Sequence, residues 1–458
     1  MNTLLSSQRS DKIQLDWLRI AQWGLVAILA LITLYNVYFS MLENVAHDAM
    51  PYMEDYVGKF VSEGRWINFA LFPILKAVPQ VIAVSLCSLF VFVFGYQVAS
   101  GMRKEPWLAV AFALLIVNIP YFTMLFKWPM TLIPGMALLA LFSCIKDRMP
   151  RNAFLLISGM LLFATYPAFY FLMPLLFIRD LNRAPLKELI IFMLVWMAGY
   201  VLGYVVANAS VYLYTYLFTD HPSFIEFVSW RRSTPTTDFS SLISNIMKSA
   251  GNFERNALYL SMLSPWFFVP VGLTALWALK NQPKYTFVVL MVVLSIYASV
   301  IALGVKVPLR SGITLPIGMA MMILLVDNRA WRTILLISLF IPFAYKMHYY
   351  NYAYNEKRIL TEAMLTERDN HGYLQQPERF KKVIVSVDEV KTSEYFYQLT
   401  KSNAYKTLSN LELHYIRPYL YQFGWKDKNI EVHDEPRNYV EGEAYVEAKG
   451  DVLYITID

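Results

Sequence analysis

Acidic residues gather in one short segment of the chain, HDAMPYMEDYVGKFVSEGRW, which runs from His47 to Trp66. Its carboxylates are those of Asp48, Glu54, Asp55 and Glu63. A carboxylate partly buried beside an apolar wall acquires a raised pKa, which suits it to act as a general base or to accept a hydrogen bond from a hydroxyl group. Each acid alone fits the solvated face of an interfacial helix equally well. The four acids together favour a catalytic role for this segment.

Composition places this segment beside a membrane. Hydrophobic residues make up 57% of the 458-residue chain and charged residues 16%, and the mean hydropathy is +0.40. These values predict a polytopic α-helical membrane protein. The two cysteines, Cys87 and Cys144, lie inside apolar runs, so neither a disulfide framework nor a cysteine metal site is expected. The net charge of +6 comes without a long basic run, and nothing indicates nucleic acid as a partner.

The distribution of lysine and arginine predicts the topology. Arg9, Lys12 and Arg19 flank the start of the first apolar run, residues 17–40, which places the N-terminus in the cytoplasm by the positive-inside rule. Assigning the later basic loops to the cytoplasm gives about eleven transmembrane helices. The ten that follow the first are predicted near 80–101, 107–126, 129–145, 152–164, 166–178, 189–212, 260–279, 285–304, 311–327 and 333–349.

One pair of predicted spans is short. Only 27 residues separate Arg151 from Arg179, although the parity of the basic loops requires two crossings there. Pro167 supplies a break at which the chain can reverse. We therefore expect two short helices or a re-entrant hairpin.

Three outer regions follow from this topology. They are a first loop near 41–79, a long loop near 213–259 and a C-terminal tail. We predict a transmembrane domain over 1–349 and a small periplasmic α/β domain over 350–458. In the tail, KKVIVSVDEV and AYVEAKGDVLYITID have the β-branched alternation of strands, and a helix is expected around 393–411.

A motif in the first loop resembles a known family. Asp48 is followed after sixteen positions by Gly64-Arg65-Trp66 and the apolar stretch INFALFPIL. This arrangement resembles the acidic first loop of the GtrII-type (serotype-converting) O-antigen glucosyltransferases, in which a pair of acids precedes a Gly-Arg dipeptide. It is also similar to the wider GT-C class of transferases. The acidic pair is His47-Asp48 here, and Trp66 stands where a proline is common, so Asp48 and the Glu54-Asp55 pair all stay in contention as the catalytic acid.

The resemblance implies a GT-C-like fold and a hexosyltransferase in the bacterial inner membrane. Its donor would be undecaprenyl-phosphate-glucose or a similar hexose donor, and its acceptor lipid-linked O-antigen at the periplasmic side of the bilayer. A bactoprenol glucosyltransferase and a flippase would be its functional partners. Asp48 is the first choice as base, with Asp55 and Glu54 in reserve. A divalent cation bound by these three acids is compatible with the sequence, but no metal site is assigned.

Such a transfer needs cations that hold the leaving lipid phosphate. The candidates are Arg65, Lys127, Arg231 and Arg310, of which Arg310 is the strongest, because it lies on the predicted outer side with Lys306 close by. Ordinary snorkelling explains Arg310 about equally well. For Arg231 and its neighbour Arg232, a solvent-exposed position explains the sequence better than a role in phosphate binding. Trp66 and Tyr166 are candidate platforms for the substrates, although aromatic residues also anchor membrane interfaces.

Two other functions fit the composition. An O-antigen polymerase or ligase would act on similar lipid-linked sugars, but such proteins usually carry their large outer regions between spans. A lipid-linked-sugar flippase or other transporter would place ionisable residues along a pathway through the membrane. The predicted spans carry few charges, which favours chemistry at the membrane surface.

Overall fold

The computed structural model describes residues 2–42, 56–126, 129–225, 233–387, 416, 419–421, 423–426, 429–433 and 446–457. This part of the chain forms two compact units. The helical unit comprises Met1–Tyr38, Val57–Val78 and Ile82–Met347, and the C-terminal unit comprises Phe39–Tyr56, Pro79–Val81 and His348–Asp458. Asp48, Glu54, Asp55, Lys127 and Arg231 lie outside the described residues.

Helices follow one another from Asn2 to Arg368. The α-helices are α1 (Asn2–Leu42), α2 (Val57–Glu63), α3 (Trp66–Leu75), α4 (Gln80–Met102), α5 (Pro106–Val117), α6 (Pro120–Phe126), α7 (Pro129–Ile145), α8 (Arg151–Phe163), α9 (Ile178–Arg183), α10 (Leu186–Phe218), α11 (Phe239–Ser261), α12 (Val269–Asn281), α13 (Pro283–Ala298), α14 (Thr314–Leu325) and α15 (Arg329–Arg368). Short 3-10 helices cover Pro167–Phe177, Pro265–Phe268, Leu309–Ser311, Tyr373–Gln375 and Pro377–Arg379.

Several of these helices are suited to a bilayer. Within the described residues, four are long and apolar enough to cross a membrane: Arg19–Leu42 of α1, all of α4, all of α10 and Arg329–Tyr352 of α15. Large apolar side chains on α10, among them Leu194, Met197 and Val205, are more than half exposed, as expected of a surface that faces lipid. The protein is therefore a helical membrane protein, as the sequence predicts.

The predicted count of eleven spans is too high for the part of the chain described. Counting each bent helix pair as one span raises the number from four to six. Proline explains much of the difference, because it removes a backbone donor and clashes with the preceding turn. The predicted span 107–126 breaks before Pro120 with a bend of 58°, and Phe239–Ser261 meets Pro265–Asn281 at 107°. Other predicted spans are apolar helices of 10–17 residues.

The short pair at 152–178 breaks where the sequence predicts. Helix α8 ends at Phe163, and a 3-10 helix begins at Pro167. The second segment is a 3-10 helix, not the α-helix of the prediction. Helix α13 ends at Ala298, short of the predicted residue 304, which leaves a non-helical segment before α14.

Close backbone contact joins α8 to α10. A Cβ atom added at Gly159 would lie 2.3 Å from the carbonyl oxygen of Gly199, and one at Gly203 would lie 2.6 Å from that of Gly159. Neither position has room for a larger residue unless the helices separate. Small residues at such crossings allow membrane helices to pack by van der Waals contact.

A buried polar cluster fixes the break between α5 and α6. The Asn118 side-chain amide donates to the Thr33 hydroxyl at 2.6 Å and to the Leu114 carbonyl at 2.9 Å. The Asn36 amide donates to the Asn118 side-chain oxygen at 3.0 Å and to the Ala344 carbonyl at 3.1 Å. These hydrogen bonds connect α1 and α15 to the bend. They also satisfy polar groups that are buried among apolar residues without access to water.

The C-terminal unit contains a four-stranded sheet of order β2-β1-β4-β3. Its strands are β1 (Lys382–Val387), β2 (Ile430–His433), β3 (Val446–Lys449) and β4 (Val452–Ile457). Strand β1 pairs in parallel with β2 and β4, while β3 and β4 form an antiparallel hairpin. Gly450 takes a positive φ of 64° in the hairpin turn. The two predicted strand regions thus supply β1, β3 and β4, and the predicted helix at 393–411 lies outside the described residues.

Candidate functional site

A cavity of about 370 Å³ lies in the helical unit. Four parts of the unit line it: the junction of α2 and α3, the turn from Phe163 to Ala168, one face of α10, and the segment from Ile296 to Ser311. Most of the lining side chains are apolar. The polar ones come largely from Glu63, Arg65, Tyr166, Lys306 and Ser311, so the cavity combines an apolar wall with a charged, hydroxyl-bearing corner.

Gly64 places Arg65 in this corner. Its φ of +70° lies in the left-handed region, which glycine adopts at little cost. A Cβ atom there would also lie 2.7 Å from the Ala207 Cβ and 2.6 Å from the Ile225 Cδ1. The glycine therefore lets the junction of α2 and α3 approach α10 closely. The backbone conformation and the close packing explain why glycine stands before Arg65, which the sequence pattern alone does not show.

Ion pairs hold the Arg65 side chain. Glu63 contacts Arg65 on one side and the Lys59 ammonium on the other, the latter at 2.9 Å. All three side chains are less than a tenth exposed. The Glu63 carboxylate thus holds two buried cations together beside the cavity. Glu63 is engaged in holding the cations, which makes it a poor choice as proton acceptor.

Tyr166 joins this cluster to the opposite wall. The Arg65 guanidinium carbon lies 5.1 Å from the centre of the Tyr166 ring, a cation–π contact. The Tyr166 hydroxyl shares a hydrogen bond of 2.9 Å with the Ser311 hydroxyl. The Asn68 amide donates to the Thr165 carbonyl at 3.3 Å and fastens α3 to the same turn. Two residues predicted for the site, Arg65 and Tyr166, are thus brought together.

Arg310 and Trp66, the other described candidates, lie outside the cavity lining, whereas Lys306 is part of it. Arg310 sits half-buried in the 3-10 turn Leu309–Ser311, between lining residues Pro308 and Ser311. Lys306 is exposed and lines the cavity itself. Trp66 begins α3, and its buried Nε1 has no hydrogen-bond partner among the described residues. The sequence does not predict whether Lys306 or Arg310 lines the cavity, because this depends on the conformation of the turn between them.

The wall segment, residues 299–308, follows α13 without helical structure. Residues before α11 pair with it: the backbone N–H of Thr234 donates to Leu303 at 3.0 Å, and that of Thr236 donates to Ala302 at 2.9 Å. Gly304 has a φ of +58°, and a Cβ there would lie 2.3 Å from the Thr234 hydroxyl. The segment is therefore held against 233–236 like a short two-stranded ribbon.

Helix α11 supports the wall segment from behind. Its Lys248 ammonium donates to the Gly304 carbonyl, and the Arg255 guanidinium donates to the Val307 carbonyl at 2.5 Å. The buried positions of α11 include Asn245, Ser249, Asn252 and Asn256, whereas Phe239, Ile243 and Met247 are exposed. A polar inner face and an apolar outer face suit a helix that lies at a membrane interface. The sequence predicts a loop here, because the polar residues of this helix lower its hydropathy below that of a membrane span.

A capping box starts α11. The backbone N–H of Ser241 donates to the Asp238 carboxylate at 2.7 Å, and the Asp238 N–H donates back to the Ser241 hydroxyl at 3.0 Å. The bond from the Ser241 backbone and that from its hydroxyl lower the pKa of Asp238. A carboxylate at this position also complements the positive end of the helix dipole.

The arrangement can bind a molecule with an apolar body and an anionic head. Arg65 and Lys306 supply positive charge, the Tyr166 and Ser311 hydroxyls supply hydrogen bonds, and the remaining wall accepts apolar groups. Among the described residues, no cluster of three or more His, Cys, Asp or Glu could hold a metal ion. Asp48, Glu54 and Asp55, the candidate bases, lie outside those residues. Comparisons with protein-family models, with curated proteins and with solved structures find no match to this chain.

Proposed function

We propose that the protein is a GT-C-like glycosyltransferase of the bacterial inner membrane. It would move glucose or a similar hexose from undecaprenyl phosphate to lipid-linked O-antigen on the periplasmic side. The cavity beside the Gly64-Arg65 motif is the single observation that carries this proposal. Its apolar wall suits the polyprenyl chain, and Arg65 with Lys306 suits the phosphate on which charge develops as the sugar leaves.

Topology supports the same proposal. The cavity lining draws on the first loop, the Pro167 break, the long loop near 213–259 and the segment before Arg310, all of which the positive-inside rule assigns to the outer side. We propose that the N-terminus is cytoplasmic and that the C-terminal unit is periplasmic. A cysteine introduced at Ser409 should then react with an impermeant reagent from the periplasm.

The first-loop acids would supply the base. With Asp48 as base, its carboxylate takes the proton of the acceptor hydroxyl while that oxygen attacks the sugar carbon and the lipid phosphate departs. Asp48→Asn and Asp55→Asn variants, checked for membrane insertion, should lose glucosylation of the host O-antigen, measured by mass spectrometry. Glu43→Gln, an acid that precedes the segment, is the matched control. Full activity in both variants would place the base elsewhere.

A lipid-linked-sugar transporter is the second candidate, and Lys346 favours it. This lysine is 6% exposed within the membrane-spanning part of α15, and its ammonium lies 4.9 Å from the centre of the Tyr259 ring. Buried ionisable residues within a membrane-spanning helix often mark a transport pathway. Proteoliposomes that move a labelled lipid-linked sugar between leaflets, and lose this activity in Lys346→Met while O-antigen glucosylation persists, would support the transporter.

A further inference from the structure

A second pocket, of about 230 Å³, lies at the far end of the 3-10 helix Pro167–Phe177. Different residues of this helix line the two sites: Pro167, Ala168 and Phe171 line the first cavity, and Leu175 and Leu176 line the second pocket. Gly101 and Met102, the last residues of the membrane-crossing helix α4, line the second pocket. A pocket at the end of a crossing helix lies at the depth of phospholipid headgroups.

Three cations from two segments meet in this pocket: Lys146 after α7, and Arg179 and Arg183 on α9. The two arginines are four positions apart, which places them on the same side of the helix. The Arg179 guanidinium donates to the Gly101 carbonyl at 3.4 Å. Arg183 has no carboxylate within 4.0 Å among the described residues.

Lys146 is the least exposed of these cations. Its side chain is 17% exposed, and its ammonium lies 3.0 Å from the Asp147 carboxylate and 5.8 Å from the centre of the Phe177 ring. Asp147 itself is 80% exposed and faces water. Positive residues that only obeyed the positive-inside rule could lie apart from one another, whereas these three line one pocket.

The charges in the pocket are those of three cations and two carboxylates, Asp147 and Asp180. The excess of one positive charge matches the single negative charge of a phosphodiester. The buried residues Val98, Leu175 and Leu176 also line the pocket, whose surface is mostly polar. Basic pockets between membrane helices bind lipid headgroups in this way.

We propose that this pocket binds the phosphodiester of a membrane phospholipid, with Arg179, Arg183 and Lys146 on the phosphate. The site is separate from the first cavity and does not depend on the function proposed for it. Guanidinium groups and phosphate oxygens form charge-assisted hydrogen bonds of matched geometry. A bound lipid would occupy the junction of α4, α7 and α9.

The test uses the full-length protein in detergent and measures phospholipid binding by native mass spectrometry. Phosphatidylglycerol is titrated against wild type, Arg183→Gln, the triple variant Lys146→Gln/Arg179→Gln/Arg183→Gln, and Arg329→Gln. The triple variant should bind at least tenfold more weakly, because the loss of one charge-assisted hydrogen bond worth about 1.4 kcal/mol already weakens binding tenfold. Arg183→Gln should show a smaller loss, and Arg329→Gln, whose side chain is exposed and outside the pocket, should bind as wild type does.

Inorganic phosphate is the second arm of the experiment. Phosphate at millimolar concentration should leave lipid binding unchanged. Displacement of the lipid by phosphate would identify a site for soluble anions and overturn the proposal, as would wild-type lipid affinity in the triple variant. Arg183→Gln keeps the test decisive if the triple variant fails to fold, because the exposed Arg183 makes no ion pair that folding needs; wild-type affinity in that single variant would also count against the site.

Discussion

Arginine and carboxylate meet at two places in the helical unit, one of which is the C-terminal end of α14, with different results. At its C-terminal end, Arg103 donates to the carbonyls of Leu324 at 2.7 Å and Leu325 at 2.9 Å and pairs with Asp327 at 2.6 Å. Arg332, 2% exposed, pairs with Glu105 and donates to the Asp327 carbonyl at 2.9 Å. These arginines satisfy carbonyls that a helix end leaves without partners.

At the other place, Glu63 and Arg65 of the Lys59–Glu63–Arg65 cluster line the first cavity. The residue types are the same in both clusters, but Arg65 also faces a volume that a ligand can fill. A buried arginine therefore supports the fold where its donors meet carbonyls, and is a candidate for binding where it lines a cavity. Variants of the two clusters should separate stability from activity.

The largest expected effect is on stability, at Arg332. Arg332→Ala leaves the Glu105 carboxylate and the Asp327 carbonyl without their guanidinium partner, which we expect to destabilise the helical unit by about 3 kcal/mol. Arg329→Ala, an exposed arginine in the same helix, should change little. Thermal unfolding in detergent and the amount of protein in membranes measure the difference. Equal stability of the two variants would contradict the assigned role of Arg332.

The second effect is on activity, at Arg65. Arg65→Gln leaves Glu63 paired with Lys59, so the fold should persist, while O-antigen glucosylation should fall by about a hundredfold through loss of a positive group at the phosphate. Arg65→Lys keeps the charge and should recover part of the activity, but it loses the planar contact with Tyr166. Rate measurements on membranes with added lipid donor provide the readout. Loss of folded protein in Arg65→Gln would make Arg65 structural, like Arg332.

Sequence patterns predicted the fold where local signals decide it. The apolar run 80–101 matches α4, and the break at Pro167 follows from proline's missing N–H. Gly64-Arg65 was singled out by its type and spacing, and both residues occupy one corner of the cavity. The Gly450 hairpin splits a single predicted strand region into β3 and β4.

The remaining features depend on contacts between distant segments. Whether an apolar run such as 107–126 continues as one helix depends on the bend that Asn118 and Asn36 hold together. Helix α11 was missed because its buried face is polar and pairs with a wall segment more than fifty residues away in the chain. Hydropathy cannot reveal that partner.

A smaller effect on activity is expected at Lys306. This lysine lines the cavity from the wall segment but is exposed, so water and salt screen its charge more than that of Arg65. Lys306→Gln should lower glucosylation by about tenfold, with a dependence on ionic strength weaker than in wild type. Lys280→Gln, an exposed lysine in the last turn of α12, is the matched control. An unchanged rate in Lys306→Gln would leave Arg65 as the cation that matters among the described lining residues.

The smallest effect concerns acid and the N-terminus of α11. Since hydrogen bonds from Ser241 lower the pKa of Asp238 below its ordinary 3.8, the cap contributes stability above that value and loses it as the pH falls through the lowered pKa. Hydrogen exchange in the first turn of α11 should therefore quicken relative to the rest of the helix in strong acid. Asp238→Asn, a neutral cap, should remove this pH dependence while keeping the helix start. If exchange in the first turn keeps the same pH dependence in Asp238→Asn, the Asp238 carboxylate is not the group that links acid to the start of α11.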